Sequence, residues 1–262
     1  NKNLTRLTSS KNCSTISPRE TWEQPEPTGY MYKGLWHSHL CRRPERVTDE
    51  CLRNIHIIFL GDSNGRELYN DVRSRSSCKD LLTAAKKKWH KNLKCAHDQL
   101  NFTLEWVPHS LPFCTDAAIW SDIGWNAASN KVIDRIPSTG RYLIYINHYL
   151  HATGSHISAY IAVMNAIKDS IKRLLMRNPD VFIAIQGPLT ICPFGNRPFF
   201  LYGDMLRQFF AGVQYQLFED LRDHVYYMQT LDITIVTQND NSHPKHNWQI
   251  SNQLTGFICG RQ

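Results

Sequence analysis

The chain has 262 residues, 42% of them hydrophobic and 20% charged, with 30 Lys and Arg against 23 Asp and Glu for a net charge of +7. That mixture excludes a disordered or fibrous protein, and no apolar run reaches the roughly 18–20 residues that span a bilayer. The basic excess comes without the sequence code of any nucleic-acid-binding module, so no nucleic-acid partner is expected.

Residues 1–53 are rich in Pro, Ser, Thr and Arg, with scattered Trp22, Tyr30, Tyr32 and Trp36 and no sustained period. They predict an irregular wrap, held by Cys41 and Cys51, over a domain spanning 54–262. The β-branched run from Asn54 to Leu60 predicts a strand buried on both faces. It leads through Gly61-Asp62-Ser63-Asn64-Gly65 into a helical stretch from Arg66 to Val72. Residues 73–100 read as a basic insertion, with five lysines between Lys86 and Lys94 on a solvated helical face or against a sulfated or sialylated glycan. Beyond it, Arg141 to Ile146, Val181 to Ile185 and Val225 to Met228 predict strands. Apolar residues at helical spacing predict helices from Ser155 to Asn178, over Leu206 to Leu221 and around Ile250 to Ile258. Strands alternating with helices imply a mostly parallel sheet covered on both faces. No internal repeat and no second domain are evident.

Eight cysteines, an even number with no C-x-x-C pair, predict four disulfides rather than a zinc or redox site. Three sequons, at Asn3, Asn12 and Asn101, agree with passage through an oxidising secretory lumen.

In a doubly wound sheet, ligands meet the carboxyl ends of the strands, and Ser63 sits in the turn after the first one. A serine hydroxyl needs a base to take its proton and donors to hold an oxyanion, and a helix N-terminus supplies backbone N–H groups. The alternative is a tight turn with an idle serine. Near the C-terminus, Asp240-Asn241-Ser242-His243-Pro244 offers a histidine with an aspartate three residues earlier, the residue types of a Ser-His-Asp relay. Asp232 is a second candidate orienter. Asn147, directly after the middle strand, Arg66 and the backbone of Gly124 are candidate oxyanion donors or substrate-positioning groups. His148/His151 and His243/His246 have H-x-x-H spacing but lack the Glu of H-E-x-x-H, so no metal site is expected.

Gly61-Asp62-Ser63, Asn147 and Asp240-x-x-His243 resemble the blocks of SGNH (GDSL-type) hydrolases, and GDS followed by Arg66 resembles the PC-esterase branch. More closely, the chain resembles the C-terminal domain of the NXPE (neurexophilin and PC-esterase domain) family. The likeness runs through Gly29-Tyr30 to Trp36, Cys41 with Cys51, His148-Tyr149, Ile171 to Asp180, Asp232-Ile233-Thr234, His243-Pro244, Asn252-Gln253 and Cys259. It implies a disulfide-stapled, three-layer α/β/α flavodoxin-like sandwich in a secreted or Golgi-lumenal protein. It also implies acyl-ester chemistry on carbohydrate, with Ser63 as nucleophile, His243 as base and Asp240 as orienter; His148 joins Arg66, Asn147 and Gly124 as a candidate oxyanion or substrate-positioning residue. Sialic-acid O-acetylation or deacetylation on an acidic glycan is the expected activity, with no bound cofactor and acetyl-CoA as a candidate acetyl donor. The opposed expectation is a secreted binding protein that keeps the fold without turnover.

Overall fold

The computed structural model describes residues 11–43, 48–82, 91–109, 127–190 and 204–259. In chain order they form α1 (Pro18–Trp22), β1 (Gly29–Tyr32), β2 (Leu35–Ser38), β3 (Ile55–Gly61), α2 (Ser63–Ser74), β4 (Lys79–Leu82), β5 (Leu93–His97) and β6 (Phe102–Pro108). Then come α3 (Ser129–Asp134), β7 (Arg141–Asn147), α4 (Ile157–Arg177), β8 (Val181–Gln186), α5 (Asp204–Leu217), β9 (Val225–Met228), α6 (Leu231–Val236) and α7 (Asn247–Ile258).

Among the described residues the central sheet has the order β4-β5-β6-β3-β7-β8-β9. Its β6, β3, β7, β8 and β9 run parallel, and β4 and β5 add an antiparallel edge. The parallel part is a flavodoxin-like order: the first strand, β3, lies between β6 and β7, and the chain fills one side before crossing to the other. That reversal opens a crevice at the carboxyl ends of β3 and β7.

Successive strand residues point to opposite faces, so partners of adjacent residues reveal the layers. Tyr226 packs on Phe257 of α7, whereas its neighbour Tyr227 donates its hydroxyl to Gln214 of α5 at 3.0 Å. Helices α2 and α7 therefore cover one face, and α4 and α5 the other. Between them Leu143 to Asn147 of β7 are buried throughout, as a strand covered on both faces requires.

The N-terminal segment is more regular than its composition predicts. Ser17 caps α1 in a capping box with Glu20, and Pro18 occupies the first turn, where its missing N–H costs nothing. This short helix covers the free edge of β9: the Trp22 indole donates to the Val225 carbonyl at 2.6 Å, and Thr21 Oγ1 accepts the Tyr227 N–H at 2.8 Å. An open sheet edge is thus closed by side chains instead of a further strand. The hairpin β1–β2 turns at Lys33 and Gly34, both at positive φ (49° and 74°), and packs on α6.

The basic insertion departs from the helical expectation. Leu93 and Cys95 face inward and Lys94 pairs with Glu105 at 3.0 Å, a period of two that builds the β4–β5 edge. Lys86, Lys87 and Lys88 lie outside the described residues, as do Cys114, Cys192, Gly124 and the Asn3 sequon. Three disulfides are present among the described residues, Cys13–Cys41, Cys51–Cys259 and Cys78–Cys95. No described helix is long and apolar enough to cross a membrane.

Candidate functional site

The site starts from how β3 ends. Gly61 pairs with Asn147 at the last register position of β3 and β7, with φ at +142°. A Cβ there would stand 1.8 Å from the Asn147 carbonyl oxygen, so a residue without a side chain is required for the two strand ends to meet. Asp62 then caps α2, its carboxylate accepting the Asn64 N–H at 2.8 Å, and Ser63 opens the helix as its first residue. The first turn leaves backbone N–H groups without intrahelical partners, at the positive end of the helix dipole.

Behind this turn the Asn147 amide lies 2.6 Å from Asp62 Oδ1, and its nitrogen faces the carboxylate because two oxygens at that distance would repel. Its other end meets the Gln186 side chain, which Tyr145 also reaches through its hydroxyl at 2.7 Å. Asn147 is fully buried. Its amide braces Asp62 from beneath the turn that carries Ser63.

His243 arrives from 180 positions away, and its Nε2 lies 2.6 Å from Ser63 Oγ. The loop carrying it is held by Asn239, whose amide donates to the carbonyls of Thr190 and Asn241, both at 2.7 Å. Asn241 in turn accepts the His243 N–H at 3.2 Å. Burial lowers the pKa of the His243 imidazole; Glu67 and Asp62 pull the other way, and Arg66 and His151 add to the lowering. Near neutral pH the ring is therefore unprotonated and able to accept a proton.

The two candidate orienters stand elsewhere. Asp240 faces Lys245 at 3.4 Å, and among the described residues no hydrogen bond joins it to His243. Asp232 lies in the first turn of α6, not at a strand end, and accepts the Thr28 N–H at 2.7 Å and the Thr28 hydroxyl at 2.9 Å, which ties the N-terminal segment to α6.

Arg66, one helical turn after Ser63, lays its guanidinium over the Trp106 ring at 5.8 Å and meets Glu67 at 3.2 Å. His148 is buried, with Nε2 2.7 Å from Ser129 Oγ, and burial beside His109 and His151 pushes its pKa far down. It supports the wall of the site from within. His109 was not singled out in the sequence, and His151 only as half of an H-x-x-H pair, yet the two lie 2.8 Å apart and, with Asp62, His148 and Tyr149, line a small cavity behind the Ser63 turn. His109 follows β6 directly, so recognising that strand is the signal that would have placed it at a strand's carboxyl end. Among the described residues, no three His, Cys, Asp or Glu side chains are arranged to hold a metal ion.

The sequence profile of the family described as "NXPE family member 4-like, C-terminal domain" matches residues 36–259. The chain belongs to this family. The match begins in β2 and closes at Cys259, so it takes in Ser63, His243 and every strand of the central sheet. NXPE domains are relatives of the SGNH and PC-esterase hydrolases, and the position of Ser63 after the first parallel strand is consistent with that kinship.

Proposed function

We propose that the protein is a serine-dependent carbohydrate O-acetyltransferase or O-acetylesterase, with sialic acid on glycans as the favoured acceptor or substrate. The observation that carries this reading is the 2.6 Å contact between Ser63 Oγ and His243 Nε2, made between residues 180 positions apart in the chain. His243 takes the hydroxyl proton as Oγ attacks an acyl carbonyl carbon. The N–H groups of the first turn of α2 are the nearest fixed dipoles for the resulting oxyanion. Collapse of the tetrahedral intermediate expels the leaving group, which takes the proton back from His243 and leaves acetyl-Ser63. A sugar hydroxyl or water then gives its proton to His243 and attacks the acetyl carbon, releasing Ser63.

The acidic glycan follows from family resemblance and is supported by Arg66, whose side chain is 18% exposed beside the nucleophile. A thioester such as acetyl-CoA suits the donor role, because a thiolate leaves more easily than an alkoxide. One observation favours a second reading, a binding protein without turnover: Asp240 faces Lys245 and not His243.

A fluorophosphonate probe, together with acetylated sialoglycans, separates the two. Under the enzyme reading Ser63 is labelled, and both Ser63→Ala and His243→Ala lose labelling and acetyl turnover by about 10²-fold or more. An unlabelled Ser63 in folded wild-type protein, with no Ser63-dependent change in acetyl groups, selects the binding reading.

A further inference from the structure

We propose that Asn101 carries an N-linked glycan, added before strand β6 docks into the sheet. Asn101-Phe102-Thr103 is an acceptor sequon, and Asn101 is exposed. It ends the turn that begins at Asp98, its N–H donating to the Asp98 carbonyl at 3.3 Å, and it adopts φ +49°. Asn tolerates this left-handed conformation better than most residues. The side-chain Nδ2 makes one hydrogen bond, to Asn54 Oδ1 at 3.1 Å. An amide nitrogen has two protons, so a glycosylated Asn101 retains one for Asn54.

Position makes the modification compatible with an open site. Asn101 precedes the amino end of β6, whereas Ser63 follows the carboxyl end of β3, which runs parallel beside it from His56↔Thr103 to Gly61↔Pro108. Six residue steps of strand separate the two ends by about 20 Å. A glycan on Asn101 projects from the opposite rim of the sheet.

The same structure fixes the timing. In the folded chain Phe102 is 1% exposed, and Thr103 Oγ1 lies 2.9 Å from His56 Nδ1. Strand β6 is paired on both sides, to β3 and β5, and Cys95, opposite Leu104, is bridged to Cys78. Thr103 is only partly buried, but its hydroxyl faces His56 and its backbone is held between two strands, so a transferase that reads the sequon as a free extended segment does not bind it there. Transfer therefore precedes docking. In that step Asn101 Nδ2 attacks the anomeric carbon of an oligosaccharide linked to a polyprenyl diphosphate. The carbon–oxygen bond to the diphosphate breaks, one amide proton is released, and the polyprenyl diphosphate leaves. The three disulfides support the compartment in which such a donor is met.

The test is to express the protein in a mammalian secretory pathway, directed there by a secretion signal, with and without a membrane-permeant reductant. The chain is then treated with peptide N-glycosidase in ¹⁸O water, and the Asn101 peptide is sequenced by mass spectrometry. The expected result is ¹⁸O-labelled aspartate at position 101 in both samples. Asn101→Asp and Thr103→Val lose the label, and Thr103→Ser, which keeps the hydroxyl, restores it. An unmodified Asn101 in both samples overturns the proposal. Labelling found only under reductant also overturns it, because β6 then closes before transfer in the native route. Disulfide mapping of Asn101→Asp separates a lost glycan from a lost fold.

Discussion

At the scale of single residues, the charge balance around His243 makes a signed prediction. Under the proposed mechanism the reactive form is the neutral imidazole, so Ser63 reactivity rises as pH climbs through the His243 pKa. Burial holds that pKa down, which extends reactivity toward acid; Glu67 opposes the shift and Arg66 reinforces it. Removing the Glu67 charge destabilises the imidazolium further, so Glu67→Gln moves the acid limb to lower pH. Arg66→Gln removes a repulsive charge and moves it to higher pH. The rate of fluorophosphonate labelling against pH is the appropriate measurement, since a small probe does not need Arg66 for glycan contact. Glu67 is about one-third exposed, so its effect at neutral pH stays within about fivefold, the factor that 1 kcal/mol commands. Limbs that move in the same direction for both variants would show that the two side chains act through packing instead of charge.

At the scale of elements, the unit that matters is β3, its turn and α2. An added methyl at Gly61 meets the Asn147 backbone, not a movable side chain, and φ +142° is itself strained for any residue with a Cβ. Gly61→Ala is expected to cost about 3 kcal/mol or more in thermal or denaturant unfolding, by parting the ends of β3 and β7. Labelling of Ser63 should fall by more than the loss of folded protein, because Asp62 loses its alignment on Asn147. Labelling that simply tracks the folded fraction would separate the turn from the chemistry. This element was legible in sequence because a continuous apolar run, a glycine and a capping aspartate each state their role locally. Strand β6 was not identified, although Phe102, Leu104 and Trp106 alternate with Thr103 and Glu105. The polar partners of that alternation, among them the Lys94–Glu105 pair, resemble a solvated surface until β5 is known to lie beside it. The hairpin β1–β2 was hidden for a related reason: its two-residue turn uses Lys33 at positive φ, where Asn or Gly is the usual marker. At the site, the Asp240-x-x-His243 spacing pointed to His243, which the structure brings to 2.6 Å from Ser63. The partner of Asp240 did not, because Lys245 competes for it in three dimensions.

At the scale of the whole molecule, the bridge Cys51–Cys259 joins the chain just before β3 to the end of α7. Eight cysteines permit 105 pairings, so this connection could not be read from spacing. It closes 208 residues, against 28 for Cys13–Cys41. In the chain-entropy account the larger loop contributes about 5 kcal/mol and the smaller about 3.6 kcal/mol. The pair Cys51→Ser/Cys259→Ser is therefore expected to melt lower than Cys13→Ser/Cys41→Ser, by a few degrees in a protein of this size. Function adds a second difference. Helix α7 packs on α2, and the loop that carries His243 leads directly into α7, so releasing the end of α7 loosens the base against the nucleophile. Below the melting range of both variants, Ser63 labelling should fall in the Cys51/Cys259 variant and stay near wild type in the Cys13/Cys41 variant. Equal labelling in the two would mean that helix packing alone holds His243 on Ser63. A reversed melting order would mean that native-state contacts of the N-terminal segment outweigh loop closure in the unfolded chain.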